Sequence, residues 1–149
     1  MRIAVASDHG GYELKEKIKQ HLIGCGHDVI DVGTDSTSSV SYVDYGHRAC
    51  EKVNDGSCER AILVCGTGIG MSVVANKHKG IRAALCTNAF MAEMARRHNN
   101  ANVLVLGARV LAIPYATILV DVFMSEPFDG GRHQERLDQI ARMEDEACE

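Results

Sequence analysis

The sequence predicts an α/β protein, a Rossmann-like three-layer αβα sandwich built on a five-stranded parallel sheet. Five short apolar runs alternate with segments in which apolar residues recur every three or four positions, a pattern typical of right-handed βαβ units. The run at residues 61–65 contains no charged residue, which indicates a strand buried on both faces of the sheet. Because the chain has 149 residues, 46% of them hydrophobic, and only two prolines, we expect a single domain over residues 1–149.

The first elements follow from their spacing. Residues 2–7 form a short apolar run that ends in polar residues, as expected of a first strand. Leu14, Ile18 and Leu22 then recur at the spacing of an amphipathic helix, which two glycines end. Residues 28–32 alternate between polar and apolar side chains and predict the second strand.

The rest of the chain repeats this rhythm. A second helix is predicted from Tyr45, Ala49 and Val53, and the Asn-Asp-Gly turn at residues 54–56 ends it. The strand at residues 61–65 follows. The same alternation predicts a helix near 71–77, a strand at 82–86, a helix at 89–98, a strand at 103–106 and a helix at 113–124.

The final predicted helix, residues 132–148, is more polar than the others. Its main apolar stripe consists of Leu137, Ile140 and Ala141. So narrow a stripe indicates a helix that packs on a partner subunit.

Composition excludes several classes of partner. The chain has 16 Lys and Arg against 20 Asp and Glu, with a pI near 6.0, so it lacks the basic excess that attracts nucleic acid or anionic membranes. No apolar run approaches the roughly 20 residues of a membrane helix, and the first residues do not resemble a secretory signal. We therefore expect a cytoplasmic protein.

The cysteines are expected to be free thiols. There are six of them, but the chain is apolar enough to fold without disulfides, and no C-x-x-C pair or zinc-finger spacing is present. Any metal role would rest on scattered residues, and we predict neither a metal nor a cofactor. The six positions are Cys25, Cys50, Cys58, Cys65, Cys86 and Cys148.

Ligands of open α/β sheets bind beyond the carboxyl ends of the strands, and this chain carries suggestive residues there. A glycine-rich segment, residues 65–70, follows the third strand; its glycines allow close backbone approach and converging amides, next to a helix N-terminus. Such a loop suits either an oxyanion or a phosphate. The segment fits neither the dinucleotide fingerprint, because Met71 replaces its third glycine, nor a P-loop, because Gly-Lys-Ser/Thr is missing.

Cys65 opens this loop, where amides would favour its thiolate and make it a usable base or nucleophile. The alternative is a small buried core residue. A cysteine-dependent phosphatase would need Arg six positions later, where Met71 stands. A role for Cys65 in proton transfer is not excluded by the sequence.

Three further groups admit both a functional and a structural interpretation. His98 and Asn99 close a helix, where the imidazole can serve as acid or base or the pair can form a C-cap. Asp8, before His9, can be a ligand or an N-cap. Arg132 and Arg136 share one helix face that suits a phosphate, although charges that open a helix are usually just solvated.

Together these segments closely resemble the type B ribose-5-phosphate isomerases, over nearly the whole chain. The matching segments are Asp8-His9-Gly10-Gly11, Cys65-Gly66-Thr67-Gly68-Ile69-Gly70, Asn76-Lys77, Arg82-Ala83, His98-Asn99, Asn102-Val103-Leu104 and Gly130-Gly131-Arg132-His133-Gln134-Glu135-Arg136. The resemblance implies an aldose-ketose isomerase of the pentose phosphate pathway that interconverts ribose 5-phosphate and ribulose 5-phosphate through a cis-enediolate, without metal or cofactor.

The resemblance also implies roles for individual residues. Cys65 would be the base, and Thr67 with the amides of residues 66–70 would stabilise the enediolate oxygens. His98 would open the furanose ring. Asp8 and Asn99 would hold sugar hydroxyls, and the phosphate would be held by His9, Arg109, Arg132 and Arg136. In the family a second subunit completes each site, so we expect a homodimer or higher assembly with sites at the subunit interface and some of these arginines acting across it.

The resemblance leaves the substrate and even the activity open. Some members place a carboxylate base where this chain has Met71 and lack the cysteine, so Met71 together with Cys65 indicates the thiol-base branch. The family also includes allose-6-phosphate and galactose-6-phosphate isomerases, so a hexose 6-phosphate is an alternative substrate. A module that binds a sugar phosphate or a nucleotide without turnover is the alternative outside enzymes.

Overall fold

The computed structural model describes residues 1–147 and contains a sheet of five parallel strands, which confirms the predicted five-stranded parallel sheet. The strands are β1 (Arg2–Ser7), β2 (Asp28–Asp31), β3 (Arg60–Cys65), β4 (Ala83–Leu85) and β5 (Val103–Gly107). Their order in the sheet is β2-β1-β3-β5-β4. Because all strands run the same way, their carboxyl ends share one edge of the sheet, here the carboxyl edge, and their amino ends share the opposite amino edge.

Helices cover both faces of the sheet, which confirms the three-layer architecture. The helices are α1 (Tyr12–Gly24), α2 (Tyr42–Asn54), α3 (Ile69–Ala75), α4 (Ala89–Arg97), α5 (Ile113–Ser125) and α6 (Arg132–Ala147). One core cluster joins the strands to α1, α4 and α5, and a second joins them to α2 and α3. Cys148, the last residue of the predicted final helix, lies outside the described residues.

The central strand β3 is buried from Ala61 to Cys65, as its apolar sequence predicts. The edge strand β4 is shorter than the predicted 82–86. The Arg82 amide is satisfied by the Asn102 side chain at 2.8 Å instead, so the strand begins at Ala83. The helix predicted near 71–77 begins earlier, at Ile69, because Gly68 adopts a left-handed conformation and caps it.

Side-chain caps define several helix ends. Asp8 accepts a hydrogen bond from the Gly11 amide at 3.1 Å, which confirms the cap interpretation for this carboxylate. Asn88 caps α4 through the Met91 amide at 2.9 Å. At the end of α4 the left-handed residue is Asn100, with φ of 45°, and not Asn99 as the C-cap interpretation assumed.

The final helix α6 buries little of its predicted apolar stripe. Leu137 is 8% exposed, whereas Ile140 and Ala141 are exposed. The helix contacts the turn before β4 of its own chain, where Glu144 accepts a hydrogen bond from the Gly80 amide at 3.0 Å and Asp145 pairs with Lys79. Within residues 1–147, no helix has the length and apolarity needed to cross a membrane.

Candidate active site

A cavity opens at the carboxyl edge, between the ends of β1, β3 and β5. It brings together seven of the predicted site residues, since Asp8, Cys65, Gly66, Thr67, Ile69, Gly70 and Arg109 all line it. Tyr42 and Val73 complete its wall. We call this the carboxyl-edge cavity; it lies where ligands bind in open parallel sheets.

Cys65 is the last residue of β3 and lies beside Gly107 of β5 in the sheet. Its carbonyl accepts a hydrogen bond from the Ala108 amide at 2.9 Å, and the Gly66 carbonyl accepts one from the Arg109 amide at 2.9 Å. These two bonds hold the start of the glycine-rich segment, residues 65–70, against the turn after β5. We call this segment the glycine loop. They also place the Arg109 side chain next to Gly66, where a Cβ would lie 3.5 Å from the guanidinium carbon.

The position of Cys65 distinguishes it from the thiols of the interior. Burial raises the pKa of Cys50 and of Cys86 to about 11, so both stay protonated at neutral pH. Cys65 is 5% exposed but lines the cavity. It is therefore a thiol that a bound ligand can contact.

The glycine loop supplies hydrogen-bond donors to the same cavity. Gly68 has φ of 83° and starts α3, whose first-turn amides have no partner within the helix. The Thr67 hydroxyl accepts a hydrogen bond from the Ile69 amide at 3.3 Å, so its own proton is free to be donated elsewhere. The loop can therefore donate to an oxyanion from both backbone and side chain.

Asp8 and His9 follow the end of β1, and their side chains line two different cavities. The Asp8 carboxylate, 8% exposed, lines the carboxyl-edge cavity while one of its oxygens caps the following turn. His9 lines a neighbouring cavity with Glu13 and Thr37. Its Nδ1 accepts a hydrogen bond from the Val40 amide at 3.1 Å, so the neutral ring carries its proton on Nε2 and donates from there.

Sequence reasoning missed Tyr42, which forms one wall of the cavity. Its ring packs over Gly70, where a Cβ would lie 2.7 Å from the ring. Ser41 caps α2 and so directs Tyr42, the first residue of that helix, to the carboxyl edge. No single sequence feature indicates this role for Tyr42. It follows only from two features together: a helix-capping residue directly before an aromatic residue, and a glycine elsewhere in the chain that leaves room for the ring.

Met71 does not face the cavity. Its side chain is fully buried in the core cluster beneath α2, and its sulfur would lie 2.9 Å from a Cβ at Gly46. The residue therefore contributes packing and no chemistry.

The remaining predicted residues lie at the amino edge. His98 and Asn99 lie between the end of α4 and the start of β5, and Arg132 and Arg136 lie in the first turns of α6. With His133 they form what we call the amino-edge cluster. Along the sheet the start of β5 is separated from its carboxyl end by about 13 Å, four residue steps.

The amino-edge cluster is rich in positive charge. The rings of His98 and His133 stack with their centroids 4.1 Å apart and an interplanar angle of 11°. Loss of hydration, then the charges of His98, Arg132 and Arg136, lower the pKa of His133. Arg97 anchors the segment before α6 through Asp129 at 3.2 Å. The cluster suits an anion, whose charge would relieve this repulsion.

One chain therefore divides the predicted site residues between the two edges of its sheet, and the expectation that a second subunit completes the site stays a prediction. The structure places Arg109 with Cys65, but it does not bring His98, Asn99, Arg132 or Arg136 to the carboxyl-edge cavity. The physical reason is direction: residues that precede a parallel strand lie at the opposite edge from residues that follow one.

Comparison with known proteins gives a consistent result. The family model described as Ribose/Galactose Isomerase matches residues 3–140. Ribose-5-phosphate isomerase B of Escherichia coli is 41% identical over 143 residues, which cover 96% of each chain. The structure of ribose-5-phosphate isomerase B from Clostridium thermocellum is 48% identical and superimposes with a TM-score of 0.98 over 99% of each chain. That of the Mycoplasma genitalium enzyme, which contains bound ribulose 5-phosphate, is 41% identical with a TM-score of 0.94 over 97% of each chain.

Proposed function

Since this chain belongs to the ribose/galactose isomerase family, we propose that it is an aldose-ketose isomerase that interconverts ribose 5-phosphate and ribulose 5-phosphate. The observation that carries the proposal is the position of Cys65, at the end of β3 beside the donors of the glycine loop. Relatives named ribose-5-phosphate isomerase B, one of them with ribulose 5-phosphate bound, support the choice of substrate.

In this proposal the Cys65 thiolate moves the proton between C2 and C1. It removes the proton from C2 of the open-chain aldose, and the electron pair of that bond forms the C1–C2 double bond while charge develops on O1. A proton passes from O2 to O1, and the Cys65 thiol returns its proton to C1. The product is the ketose, and the thiolate is regenerated.

The glycine loop stabilises the charge that develops on the enediolate. Thr67 has a hydroxyl proton to donate because its oxygen already accepts from Ile69. Donors of this kind, aimed at an oxyanion before the reaction starts, are worth about 10²–10³ in rate each. Asp8, held by the Gly11 amide, would accept from a sugar hydroxyl.

The amino-edge cluster supplies the other half of the chemistry. His98 would pass a proton to the ring oxygen while the anomeric hydroxyl loses one, which opens the furanose. Asn99 would hold a sugar hydroxyl. The phosphate would be bound by Arg132 and Arg136 of this cluster, with His9 and Arg109 at the carboxyl edge contributing the remaining donors.

Two chains are needed to join these halves. Because the two groups lie at opposite edges of one sheet, the amino-edge cluster of one copy would close the carboxyl-edge cavity of another. The exposed side of α6, with Ile140 and Ala141, would contribute apolar contacts to such a dimer.

The first test is turnover of ribose 5-phosphate by the native protein and by Cys65→Ala, with chelator present throughout. The native protein should interconvert the pentose phosphates, because thiol-based proton transfer needs no metal. The Cys65→Ala variant should lose turnover by at least about 10³-fold and still bind the sugar phosphate. Cys58→Ala is the matched control, since that thiol is buried outside the cavity.

The outcomes separate the alternatives. Near-native turnover in Cys65→Ala would contradict the thiol base. Preference for allose 6-phosphate over the pentose would keep the mechanism and change the substrate. Binding of sugar phosphates without turnover, and without exchange of the C2 proton with solvent, would favour a binding module.

A further inference from the structure

A second cluster of reactive side chains lies between α1 and α5, away from the carboxyl-edge cavity. The His21 Nε2 atom lies 2.5 Å from Asp121 Oδ1 and 3.8 Å from Cys25 Sγ. All three donor atoms fall within 4.8 Å of one another. Imidazole, thiol and carboxylate thus converge on one point.

The cluster is held by rigid elements. His21 and Cys25 are four positions apart, so they share one face at the end of α1, and Asp121 lies on α5. The two helices are joined beneath the cluster by Leu22 and Phe123, which are fully buried in one core cluster. The three donors are therefore positioned by packing and not by a mobile loop.

A fourth potential ligand, His27, follows α1 and lines the same surface cavity as Cys25 and Asp121. A surface cavity lined by Leu22, Cys25, His27, Asp121, Met124 and Ser125 opens at this point. The Nδ1 atom of His27 is buried there and has no hydrogen-bond partner within the described chain. A buried ring nitrogen without a partner is uncommon, because it loses hydration without compensation.

We propose that His21, Cys25 and Asp121 bind a divalent cation of the zinc class, with His27 as the adjacent donor. Sulfur, nitrogen and oxygen together suit Zn²⁺ and not the all-oxygen preference of Mg²⁺ or Ca²⁺. The thiolate and the carboxylate together neutralise the charge of the ion once the thiol proton is released. The 3.8 Å between sulfur and nitrogen is close to the roughly 3.5 Å expected of two ligands on a tetrahedral zinc ion. His21 and Asp121 are in direct contact at 2.5 Å, so binding requires the exposed Asp121 side chain to rotate until its oxygen lies roughly 3.3 Å from the ring nitrogen.

The bound ion would clamp α1 to α5. Both helices run from the carboxyl edge to the amino edge, so their last turns, which carry the donors, lie across the sheet from Cys65. The site is therefore separate from the isomerase chemistry and acts on stability. An ion that binds only the folded state raises the melting temperature of the protein. For a chain of this size the rise is about 5–10 °C when the free ion concentration is 100-fold above Kd.

The experiment uses Co²⁺ as a spectroscopic probe on the full chain, reduced with a phosphine and freed of any affinity tag. We expect one Co²⁺ per chain, a thiolate-to-cobalt charge-transfer band in the near ultraviolet, and loss of that band when Zn²⁺ is added. The rise in melting temperature should accompany Zn²⁺ binding.

Two variants locate the ion. Cys25→Ser should abolish the charge-transfer band and the Zn²⁺-dependent rise in melting temperature, and Asp121→Asn should weaken both. His133→Ala is the matched control, because His98, Asp129 and His133 form another group of potential ligands, one without a thiol; it should keep the band. A band that persists in Cys25→Ser, or no saturable band in the native chain, would overturn the site.

Discussion

At the scale of single residues, position in the fold separates side chains that a ligand can contact from buried ones of the same type. Cys50 and Cys86 are buried within the core clusters, and burial raises the pKa of each to about 11. Cys65 lies at the end of a strand and lines the cavity. Histidines also differ by their surroundings. His47 stacks on His78 at the protein surface, whereas His98 stacks on His133 within the amino-edge cluster.

His98→Asn tests the ring-opening role. We expect isomerisation of ribose 5-phosphate to fall by about 10²–10⁴-fold, because the variant has no acid-base group for the furanose. Ribulose 5-phosphate cannot close a furanose, since its O5 carries the phosphate, so deuterium uptake at its C1 should change less than tenfold. Both rates are measured by NMR in D₂O.

His47→Asn serves as the control for this experiment, because His47 is an exposed histidine that lines a different surface cavity. It should leave both rates unchanged. Equal losses of isomerisation and of C1 exchange in His98→Asn would contradict a role confined to ring opening.

Sequence reasoning predicted which residue types meet at the carboxyl edge, because residues that follow parallel strands share that edge. It missed Tyr42 because an exposed aromatic residue at the start of a helix carries no signal by itself. The sequence places His98 between a helix and the fifth strand, and that position keeps it away from the carboxyl edge of its own chain.

At the scale of elements, β2 is held to α1 by a charged network around a buried lysine. The Lys15 ammonium, on a side chain 1% exposed, contacts Asp31 at 2.6 Å and Glu16 at 2.8 Å, and Lys19 contacts Asp31 at 2.8 Å. Burial by itself raises the pKa of Asp31, but hydrogen bonds from Lys15, Lys19 and the Gly33 amide outweigh it and lower the pKa overall. The carboxylate is therefore charged in the folded state at neutral pH.

Asp31→Asn should destabilise the protein by about 2–3 kcal/mol at pH 7, because the buried Lys15 ammonium loses the carboxylate at 2.6 Å and keeps Glu16 at 2.8 Å as its remaining carboxylate contact in the described chain. The pKa of Asp31 is lower folded than unfolded, so its contribution is complete above the ordinary carboxyl range and is lost as the pH falls through the folded value. The difference between native and variant should therefore shrink toward pH 3. Urea unfolding at several pH values measures it.

Asp28→Asn is the matched control on the same strand. Asp28 pairs with Arg2 at 2.7 Å, but both side chains are more than half exposed, so the loss should stay below about 1 kcal/mol. An equal loss at both positions would contradict the distinction between the buried and the exposed pair.

Gly107, at the end of β5, is a second element-scale determinant of the cavity. A Cβ at this position would lie 2.5 Å from the Thr67 carbonyl oxygen, which is backbone and has little freedom to move. Gly107→Ala should therefore displace the glycine loop, lower the melting temperature by several degrees and reduce kcat by at least about tenfold. Thermal unfolding and initial rates measure the two effects.

The control is Gly24→Ala, at the last residue of α1, where a Cβ would meet nothing within 4 Å. This change should leave turnover unaltered and raise stability by a few tenths of a kcal/mol or more, since Ala restricts the unfolded chain. Unchanged turnover in Gly107→Ala would show that the loop tolerates displacement.

Helices and strands were more predictable than the site, because the spacing of apolar residues within one segment indicates which of its faces is buried. Five strands and six helices follow from that pattern, whereas the short β4 follows from its place at the edge of the sheet, which no local pattern contains. The end of α4 also differs: the helix ends at Arg97, one residue before the predicted His98, and Asn100 rather than Asn99 takes the left-handed conformation. Both errors arise where a tertiary contact decides a boundary.

At the scale of the whole molecule, the candidate catalytic residues of one chain are divided between the two edges of the sheet. The carboxyl-edge cavity contains Cys65 and the glycine loop, and the amino-edge cluster contains His98 and the two arginines of α6. Neither half contains both a candidate base for C2 and a candidate group for ring opening. A symmetric pair of chains, each contributing both halves, would hold two complete sites.

Mixing two inactive variants tests this arrangement. If each site takes Cys65 from one chain and His98 from the other, a dimer of Cys65→Ala with His98→Asn contains one doubly altered site and one intact site. Random exchange makes half of the dimers mixed, so about a quarter of native turnover should return. If both residues act within one chain, every site carries one substitution and no turnover returns.

The control for subunit exchange is a mixture of Cys65→Ala with the double variant that carries both Cys65→Ala and His98→Asn. This mixture should restore no turnover, because neither chain then supplies the thiol. Recovery that appears only in the first mixture, measured after co-refolding at fixed total protein, would establish that the two edges of different chains form one site.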